Sequence, residues 1–341
     1  MKWYDKIAST DYVVISSRVR LARNLEGVPF PWRLDSDSSK KAALGIKQAL
    51  ENAYGNTLVF TEMNGKAEKQ VLVEEHVISP DFAEDSCVYR ALASNKENSL
   101  AIMINEEDHV RIQALLPGLD LGKAFEMANE ADNAIIKGCN VAFDEKYGFL
   151  TSCPTNLGTG LRASVMLHLP ALSVFGYIKS IVNLMNKIGL TVRGIYGEGS
   201  DARANMYQLS NQVTLGISEE DTIKKLESAV MQIVDREREM RKKLLEDTKN
   251  ETADRLWRSY GTLKYARKID TAEASKLISN VRLAQVCGII PEIKDKNLIK
   301  LLFEIMPSHI LSRFPEAQDA SLRDKYRADI IRQFLSEYDG D

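Results

Sequence analysis

Up to about Ser218 the chain alternates between strand-like and helix-like segments, and beyond it almost every segment has the apolar spacing of a helix. In the first part, short apolar runs at 99–105 and 109–116 flank the acidic residues 106–108 and predict two adjacent strands. Because the predicted strands do not alternate strictly with helices, an α+β fold with an antiparallel sheet is favoured over a doubly wound parallel sheet. We expect an all-α part to follow the sheet.

The length of the chain and this change in pattern together predict two domains. A chain of 341 residues can bury a sizeable core. We expect a sheet-containing domain over residues 1–245 and a helical domain over 246–341. Further strands are predicted at 141–143, 163–169, 192–196 and 205–209, and helices at 38–54, 119–136, 172–188, 219–247, 253–267, 271–287, 294–305 and 320–336.

The composition is that of an ordinary globular protein, with 44% hydrophobic and 27% charged residues. A net charge of -3 gives no general attraction to nucleic acid or to an anionic membrane, so any anion must be bound by local arginines. Four scattered cysteines disfavour a disulfide framework and a structural zinc site. The chain shows neither the apolar core of a signal peptide nor a membrane-length run, and we expect a cytoplasmic protein.

The segment 152–162, Ser-Cys-Pro-Thr-Asn-Leu-Gly-Thr-Gly-Leu-Arg, joins a thiol, two glycines and an arginine in a turn-rich stretch. Glycine lets the backbone approach a ligand closely, and the guanidinium of Arg162 carries a planar fork of donors that suits phosphate. Taken alone, Gly-x-Gly fits a plain turn between strands equally well. Arg18 and Arg20 have strand spacing and should project from one face of a sheet.

Four motifs then occur in a fixed order along the chain. They are Arg-x-Arg at 18–20, Asn-Glu-Glu-Asp-His at 105–109, Cys-Pro-Thr-Asn-Leu-Gly-Thr-Gly-Leu-Arg at 153–162 and Arg-Gly-x-x-Gly-Glu at 193–198. Together they resemble the ATP:guanidino phosphotransferases, or phosphagen kinases, which include creatine kinase and arginine kinase. The resemblance implies a phosphagen-kinase-like catalytic domain that uses ATP, with Mg²⁺ held mainly by phosphate oxygens and water. The sequence therefore needs no metal-ligand motif.

The same resemblance assigns the catalytic residues Glu107, Glu198 and Cys153. A guanidinium is protonated at ordinary pH, with a pKa above about 12, and must lose a proton before it attacks phosphorus. Two carboxylates, Glu107 and Glu198, would hold it and accept that proton beside a reactive thiol at Cys153. An acid five residues after Arg193 matches arginine kinase-like members and favours an arginine-type substrate. From the residues alone, 106–108 also fits a plain hairpin turn, and Cys153 a small buried thiol.

The resemblance also assigns the ATP-binding residues, with five arginines around the triphosphate and one histidine near the nucleotide. They are Ser16, Ser17, Arg18, Val19, Arg20, His76, Arg111, Arg162, Ala163, Ser164, Val165, Met166, Arg193, Gly194, Ile195, Tyr196, Gly197 and Glu198. Met166 stands where the family often has histidine, and the effects of Met166, Arg203 and Ala204 are left open. His109 and His168 are predicted to be structural.

The order of the two predicted domains indicates a subgroup. Creatine and arginine kinases carry a helical domain before this catalytic domain, whereas here fifteen residues precede Ser16 and the helical part follows. This order resembles the bacterial protein-arginine kinases of the McsB type and implies an open site for arginine within a polypeptide. The subgroup's Arg-Asp-x-x-Arg-Ala motif, an allosteric phosphoarginine-binding site, matches Arg323, Asp324, Arg327 and Ala328. The same pattern on a helix also fits an exposed ion pair.

The resemblance implies partners as well. They are protein substrates with exposed arginines, a Clp-type protease, a stress-gene repressor, a possible activator protein and further copies of the chain. Two other functions stay open at this point: a kinase of free arginine or another small guanidino compound, and a phosphoarginine-binding adaptor with weak catalysis. The presence of Glu107, Glu198 and all five arginines argues against the adaptor.

Overall fold

A computed structural model describes residues 2–5, 13–64, 68–84, 86–195, 202–247 and 249–336. Its centre is an eight-stranded antiparallel sheet, which confirms the α+β class. The strands of the chain are β1 (Val14–Arg23), β2 (Val59–Glu62), β3 (Ala91–Ser94), β4 (Leu100–Ile104), β5 (Val110–Pro117), β6 (Phe143–Asp144), β7 (Gly148–Phe149), β8 (Leu161–His168), β9 (Leu190–Gly194) and β10 (Met206–Asn211). The order across the sheet is β2, β3, β4, β5, β1, β8, β10, β9, and β6 and β7 form a separate hairpin.

β1 lies in the middle of the sheet, antiparallel to β5 on one side and to β8 on the other. Its residues alternate between the two faces because successive side chains of a strand point in opposite directions. Val19 and Leu21 are buried on one face together with the neighbouring Ile112 and Ala163. Ser16, Arg18 and Arg20 therefore point to the opposite face.

Helices cover the apolar face of the sheet. α1 (Ser36–Tyr54) packs on α4 (Leu121–Gly138), which contacts β1 and β5. Each begins after an aspartate, Asp35 or Asp120, whose carboxylate accepts a backbone N–H in the first turn, an arrangement that stabilises a helix by about 1 kcal/mol. The long predicted helix is present with the predicted bounds as α7 (Glu219–Asp247), and it contacts β8 and β10.

Three predicted elements are wrong in detail, and several short ones were not predicted. The helix predicted at 294–305 starts only at Leu298. The helix predicted at 172–188 is divided into α5 (Pro170–Val174) and α6 (Ile178–Lys187), because Gly176 between them has a φ of +74° that no α-helix contains. The strand predicted at 141–143 starts only at residue 143. The short helices α2 (Lys69–Glu74) and α3 (Pro80–Ala83) are too brief to show a period in the sequence.

The C-terminal helices confirm the predicted all-α part. They are α8 (Lys249–Tyr265), α9 (Thr271–Val286), α10 (Leu298–Glu304), α11 (Pro307–Arg313) and α12 (Ala320–Ser336). One hydrophobic core runs from the sheet into these helices, and the ring Nε2 of His168 on β8 lies 2.8 Å from Ser279 Oγ on α9. The predicted domain boundary after residue 245 falls in the last turn of α7 and stays a prediction. Among the described helices, none has both the length and the apolar composition needed to span a membrane.

Candidate active site

The strand register places arginines from three adjacent strands on one face of the sheet. Arg20 on β1 lies opposite Arg162 on β8 and opposite Gln113 on β5. Arg18 is two residues from Arg20, and Arg111 is two residues from Gln113, so both share that face. The prediction that Arg18 and Arg20 project together is confirmed, and we call this side of the sheet the arginine face.

Arg193 on β9 belongs to the same face. Met166, four residues after Arg162, pairs with Gln208 on β10, and Gln208 pairs in turn with Arg193. Arg18 Nη2 donates to Gln208 Oε1 over 2.6 Å. Because an amide carries no charge, this bond orients the guanidinium of Arg18 without cancelling its positive charge.

The arginine face concentrates positive charge from several guanidinium groups. Burial, followed by repulsion from Arg18, Arg111 and Arg162, holds the pKa of Arg20 well below its usual value. Burial and the charges of Arg193 and Arg111 lower the pKa of Arg162 in the same way. Within the residues that the structure describes, the buried Nε atoms of Arg20 and Arg162 have no hydrogen-bond partner. Unused donors and mutual repulsion are both relieved by a bound polyanion, so these residues fit a triphosphate.

The segment from α2 to α3 crosses one end of the arginine face, where Phe82 packs with Leu92 and Met103 in a second, smaller core. His76 lies in this segment, and its carbonyl oxygen accepts a hydrogen bond from Gln113 Nε2 over 2.7 Å. Burial and the nearby charge of Arg18 lower the pKa of His76 to about 3, so the ring is neutral near pH 7. The structure thus brings His76 close to the arginine face.

The turn between β4 and β5 gives its two glutamates different environments. Glu106 is buried, and its Oε1 accepts from Arg111 Nη1 at 2.5 Å and from the hydroxyl of Ser79. Burial alone would raise the pKa of Glu106, but Arg111 and these hydrogen bonds outweigh it and keep the pKa below its usual value. Glu107 is exposed. Glu106 therefore serves to hold Arg111, while Glu107 is left facing solvent.

Glu107 opens into a pocket shared with the arginine face. The pocket is lined by Arg20, Leu21, Ala22, Glu107, Asp108, Arg111, Asn156, Gly160 and Arg162. Partial burial, followed by the charges of Asp108 and Glu106, raises the pKa of Glu107 above the usual glutamate value. The negative charges of Glu107 and of Cys153, when ionised, act on Arg162. A carboxylate of raised basicity and a set of cations thus meet at one pocket.

Asp108 connects this turn to the loop of residues 152–160 before β8, which contains Cys153 and is called the cysteine loop. Its Oδ1 accepts hydrogen bonds of 2.6 Å from the backbone N–H of Ser152 and from Asn24 Nδ2. Cys153 follows directly, half-buried, with its Sγ 3.0 Å from the hydroxyl of Thr155. The predicted site did not include Asp108 or Asn24. Asp108 belongs to the Asn-Glu-Glu-Asp-His motif, and Asn24 follows Arg23 directly. These positions were the signals from which the two residues could have been predicted.

The structure gives the two loop glycines a different role from the one the sequence suggested. A Cβ on Gly158, whose φ is +107°, would lie 2.3 Å from the carbonyl oxygen of Thr214, and one on Gly160 would lie 2.6 Å from the carbonyl oxygen of Ala22. Both glycines therefore let the loop pack against the protein's own backbone. Arg23 holds the same loop, since its Nη1 donates to the carbonyl of Thr159 over 3.0 Å.

Comparison with known proteins agrees with this geometry. A family model described as ATP:guanido phosphotransferase, C-terminal catalytic domain, matches residues 39–240. The chain belongs to this family. A second model, described as the protein-arginine kinase McsB C-terminal domain, matches residues 249–341. As an ATP:guanido phosphotransferase the protein is a kinase that uses ATP.

Individual relatives span most of this guanido phosphotransferase. A protein of Syntrophomonas wolfei named protein-arginine kinase is 46% identical over 333 residues, covering 96% of this chain and 93% of that protein. Lombricine kinase is similar in structure, with a TM-score of 0.58, 26% identity and coverage of 72% of this chain and 71% of the other. The substrate-free duplicated taurocyamine kinase of Schistosoma mansoni has a TM-score of 0.58 and 29% identity, over 69% of this chain but only 35% of that one.

The remaining predicted ATP-binding residues of this kinase fall into four groups. Ser16, Ser164 and Met166 lie on the arginine face by their register. Ser17, Val19, Ala163 and Val165 are buried on the opposite side, because they alternate with the arginines, and their assignment to ATP stays a prediction. Gly194 and Ile195 are at the end of β9. Tyr196, Gly197 and Glu198 lie outside the described residues.

The predicted phosphoarginine site lies on α12, where the four residues do not share one environment. Arg327 is buried, and it donates through Nε to the carbonyl of Ile305 and through Nη1 to the carbonyl of Ile269 and to Asp324 Oδ1. Ala328 is also buried. Arg323 is less buried and donates to the carbonyl of Gln318 at 2.5 Å. A phosphate approaching from solvent would meet Arg323 first, and the assignment of this site stays a prediction.

The described part of the chain contains no group of three or more His, Cys, Asp or Glu side chains suited to a metal ion. Glu106 and Asp108, the buried acids nearest the pocket, are already bound to Arg111, Asn24 and Ser152. The arginines that line the pocket suit an anion.

Proposed function

We propose that this kinase transfers the γ-phosphoryl group of ATP to arginine side chains in proteins. The observation that carries the proposal is the shared pocket in which Glu107 faces Arg20, Arg111 and Arg162. Cations on one side suit the phosphates, and a carboxylate on the other suits the guanidinium that receives the phosphoryl group. The Syntrophomonas wolfei relative and the matched C-terminal model both carry the name protein-arginine kinase, which supports arginine in a protein as the acceptor.

In this proposal Glu107 accepts a hydrogen bond and then a proton from the substrate guanidinium. The freed nitrogen forms a bond to the γ-phosphorus, and the bond between that phosphorus and the bridging oxygen breaks, leaving ADP with the electron pair. The raised pKa of Glu107 makes it a stronger base than an ordinary glutamate. We assign Glu198 as the second carboxylate by resemblance. By the same resemblance, Cys153 would stand beside the guanidinium.

Arg18, Arg20, Arg111, Arg162 and Arg193 would bind the phosphates in this scheme. Their work is electrostatic, because the charge on the transferred group is spread over its oxygens while attacking and leaving atoms stay in line. Mg²⁺ bound to the phosphates would neutralise charge on the leaving group. Holding two reactants in line contributes about 7 to 11 kcal/mol, against about 3 to 5 kcal/mol for a general base, so positioning dominates.

Free arginine or another small guanidino compound is the second candidate acceptor. The structural similarity to lombricine kinase and to taurocyamine kinase favours it. A single experiment separates the candidates: the protein is incubated with ATP and either free arginine or a denatured protein, and acid-labile phosphate is measured. Label on the protein supports the proposal, and label only on the free amino acid supports the second candidate. If neither the protein nor the free arginine is labelled and the chain still binds phosphoarginine, the result supports a phosphoarginine-binding adaptor with weak catalysis.

The C-terminal match supports a finer proposal about control and partners. We propose that phosphoarginine on proteins, including this protein itself, binds at Arg323 and regulates the kinase. The same resemblance extends to a Clp-type protease that receives the marked proteins, a stress-gene repressor as substrate, an activator protein, self-association and a cytoplasmic location. Replacement of Arg323 by alanine should remove the change in rate that added arginine-phosphorylated protein produces. An unchanged response would reject the regulatory site and leave the kinase assignment intact.

A further inference from the structure

Phe303 of α10 lies at the centre of an aromatic cluster formed by Trp3, Tyr4, His76 and Phe303. Its ring is stacked on Tyr4 at a centroid distance of 4.6 Å and meets Trp3 edge-on at 5.2 Å. The ring of His76 packs edge-on against it at 5.8 Å. Phe303 is buried, with 2% of its surface exposed. The helical C-terminal part therefore supplies the aromatic surface against which His76 rests.

His76 needs such support because its backbone is strained. Its φ is +60°, a left-handed conformation that non-glycine residues hold only when their surroundings enforce it. Gln113 holds its carbonyl from the side of the sheet. The side of the C-terminal part is held by Glu74, whose carboxylate accepts from the backbone N–H of Ser308 at 2.9 Å and of His309 at 3.2 Å.

The next residue continues this attachment. Glu75 Oε1 accepts from the hydroxyl of Tyr4 at 2.9 Å, and its Oε2 accepts from Lys2 Nζ at 2.8 Å. Asn297, which precedes α10, donates to the carbonyl oxygen of Tyr4 over 2.8 Å. Residues 74–76 are thus fixed between the arginine face and α10 with α11.

We infer that Phe303 is a positioning residue for ATP, acting through His76 from the helical C-terminal part of the chain. The inference rests on the proposed function only in assuming that the arginine face binds ATP. His76 is held by Gln113 of the arginine face and lies near Arg18, so a displaced ring changes the surface that the nucleotide meets. No residue of α10 needs to touch ATP for this effect.

The test uses the full chain and measures the binding of MgATP by titration, together with kcat and KM on a denatured protein. Phe303→Leu keeps an apolar side chain but removes the aromatic edge contact. It should weaken MgATP binding and raise KM for ATP about threefold to tenfold, the range expected for one edge-to-face contact, while kcat changes little. Phe334→Leu is the matched control, since this partly buried aromatic of α12 packs near Lys296 and away from His76.

A double-mutant cycle decides whether Phe303 acts through His76. His76→Asn removes the ring and tolerates the left-handed backbone. In that background Phe303→Leu should weaken MgATP binding no further. Additive losses, or an equal loss in Phe334→Leu, would overturn the inference. Should Phe303→Leu fail to fold, Glu74→Gln replaces it, with the same expected loss and the same expected cancellation.

Because the binding of MgATP is measured directly by titration, this test does not depend on whether the protein phosphorylates arginine. If MgATP binding shows the predicted pattern and no phosphate reaches protein arginine, the proposed function fails and the positioning role stands. If arginine is phosphorylated and Phe303→Leu binds MgATP as tightly as the unmodified protein, the positioning role fails alone.

Discussion

Replacement of Glu107 by glutamine is the sharpest test of the pocket, because it removes one charge and keeps the size of the side chain. Glu107 is exposed at the pocket, and its backbone N–H donates to Glu106 Oε2 over 3.2 Å, a bond that the substitution leaves in place. The fold should therefore survive. Loss of the base should lower kcat about 10²- to 10⁴-fold, equivalent to roughly 3 to 5 kcal/mol of transition-state stabilisation.

The effect on ATP should have the opposite sign. The negative charge of Glu107 raises the pKa of Arg162, and the positive charge of Arg111 lowers the pKa of Glu107. Glu107 therefore attracts two cations of the arginine face. Removing that charge leaves the arginine face more positive, so MgATP should bind as tightly as before or more tightly. A large fall in kcat without a rise in the dissociation constant for MgATP identifies a residue that serves the chemistry and not the nucleotide.

The pH profile supplies a second measurement. A base works only when it is deprotonated, and the pKa of Glu107 is raised by burial and by Asp108 and Glu106. Activity should therefore fall, as pH decreases, at a higher pH than an ordinary glutamate would give, and Glu107→Gln should lack this limb.

The assay is acid-labile phosphate on a denatured protein, measured across pH with saturating MgATP. Glu97→Gln is the control, since Glu97 is exposed in the hairpin at the other end of β4 and should behave as the unmodified protein does. Turnover of Glu107→Gln within tenfold of the unmodified protein would refute the reasoning. So would a loss of MgATP binding as large as the loss of kcat.

Three further predictions concern the arginine face and its supports. Arg162→Ala should lower kcat by about 10²-fold or more and weaken MgATP binding, measured by the same assays, because it removes a cation from the phosphate side of the pocket. Asp132→Ala should lower the free energy of unfolding by about 3 to 5 kcal/mol in urea, because it leaves buried Arg23 without its carboxylate, now 2.6 Å away. Gly158→Ala should reduce both stability and turnover, whereas Gly216→Ala, with a φ of +78° and open space around it, should cost only about 1 to 2 kcal/mol in the same denaturation experiment.

Apolar residues that repeat along long segments, together with the sequence motifs, were enough to predict much of the architecture. The helix over 219–247 and the strands on either side of 106–108 were predictable because their apolar residues repeat over a sufficient length. The division of the predicted helix at Gly176 was missed, since a single glycine inside an apolar pattern does not predict a left-handed backbone. Arg18 and Arg20 were predictable as a pair, because strand alternation is a local rule.

The sequence by itself determined the fold class and the helical C-terminal part. It also determined that Glu107 and the five arginines belong to motifs that resemble those of one protein family. Only the tertiary structure decided that Glu106 forms an ion pair with Arg111 while Glu107 faces the pocket. It also decided that Asp108 joins the acidic turn to the cysteine loop. Adjacent residues with the same side chain differ only in what surrounds them. Those surroundings come from strands and loops distant in the chain, so no local pattern could report them.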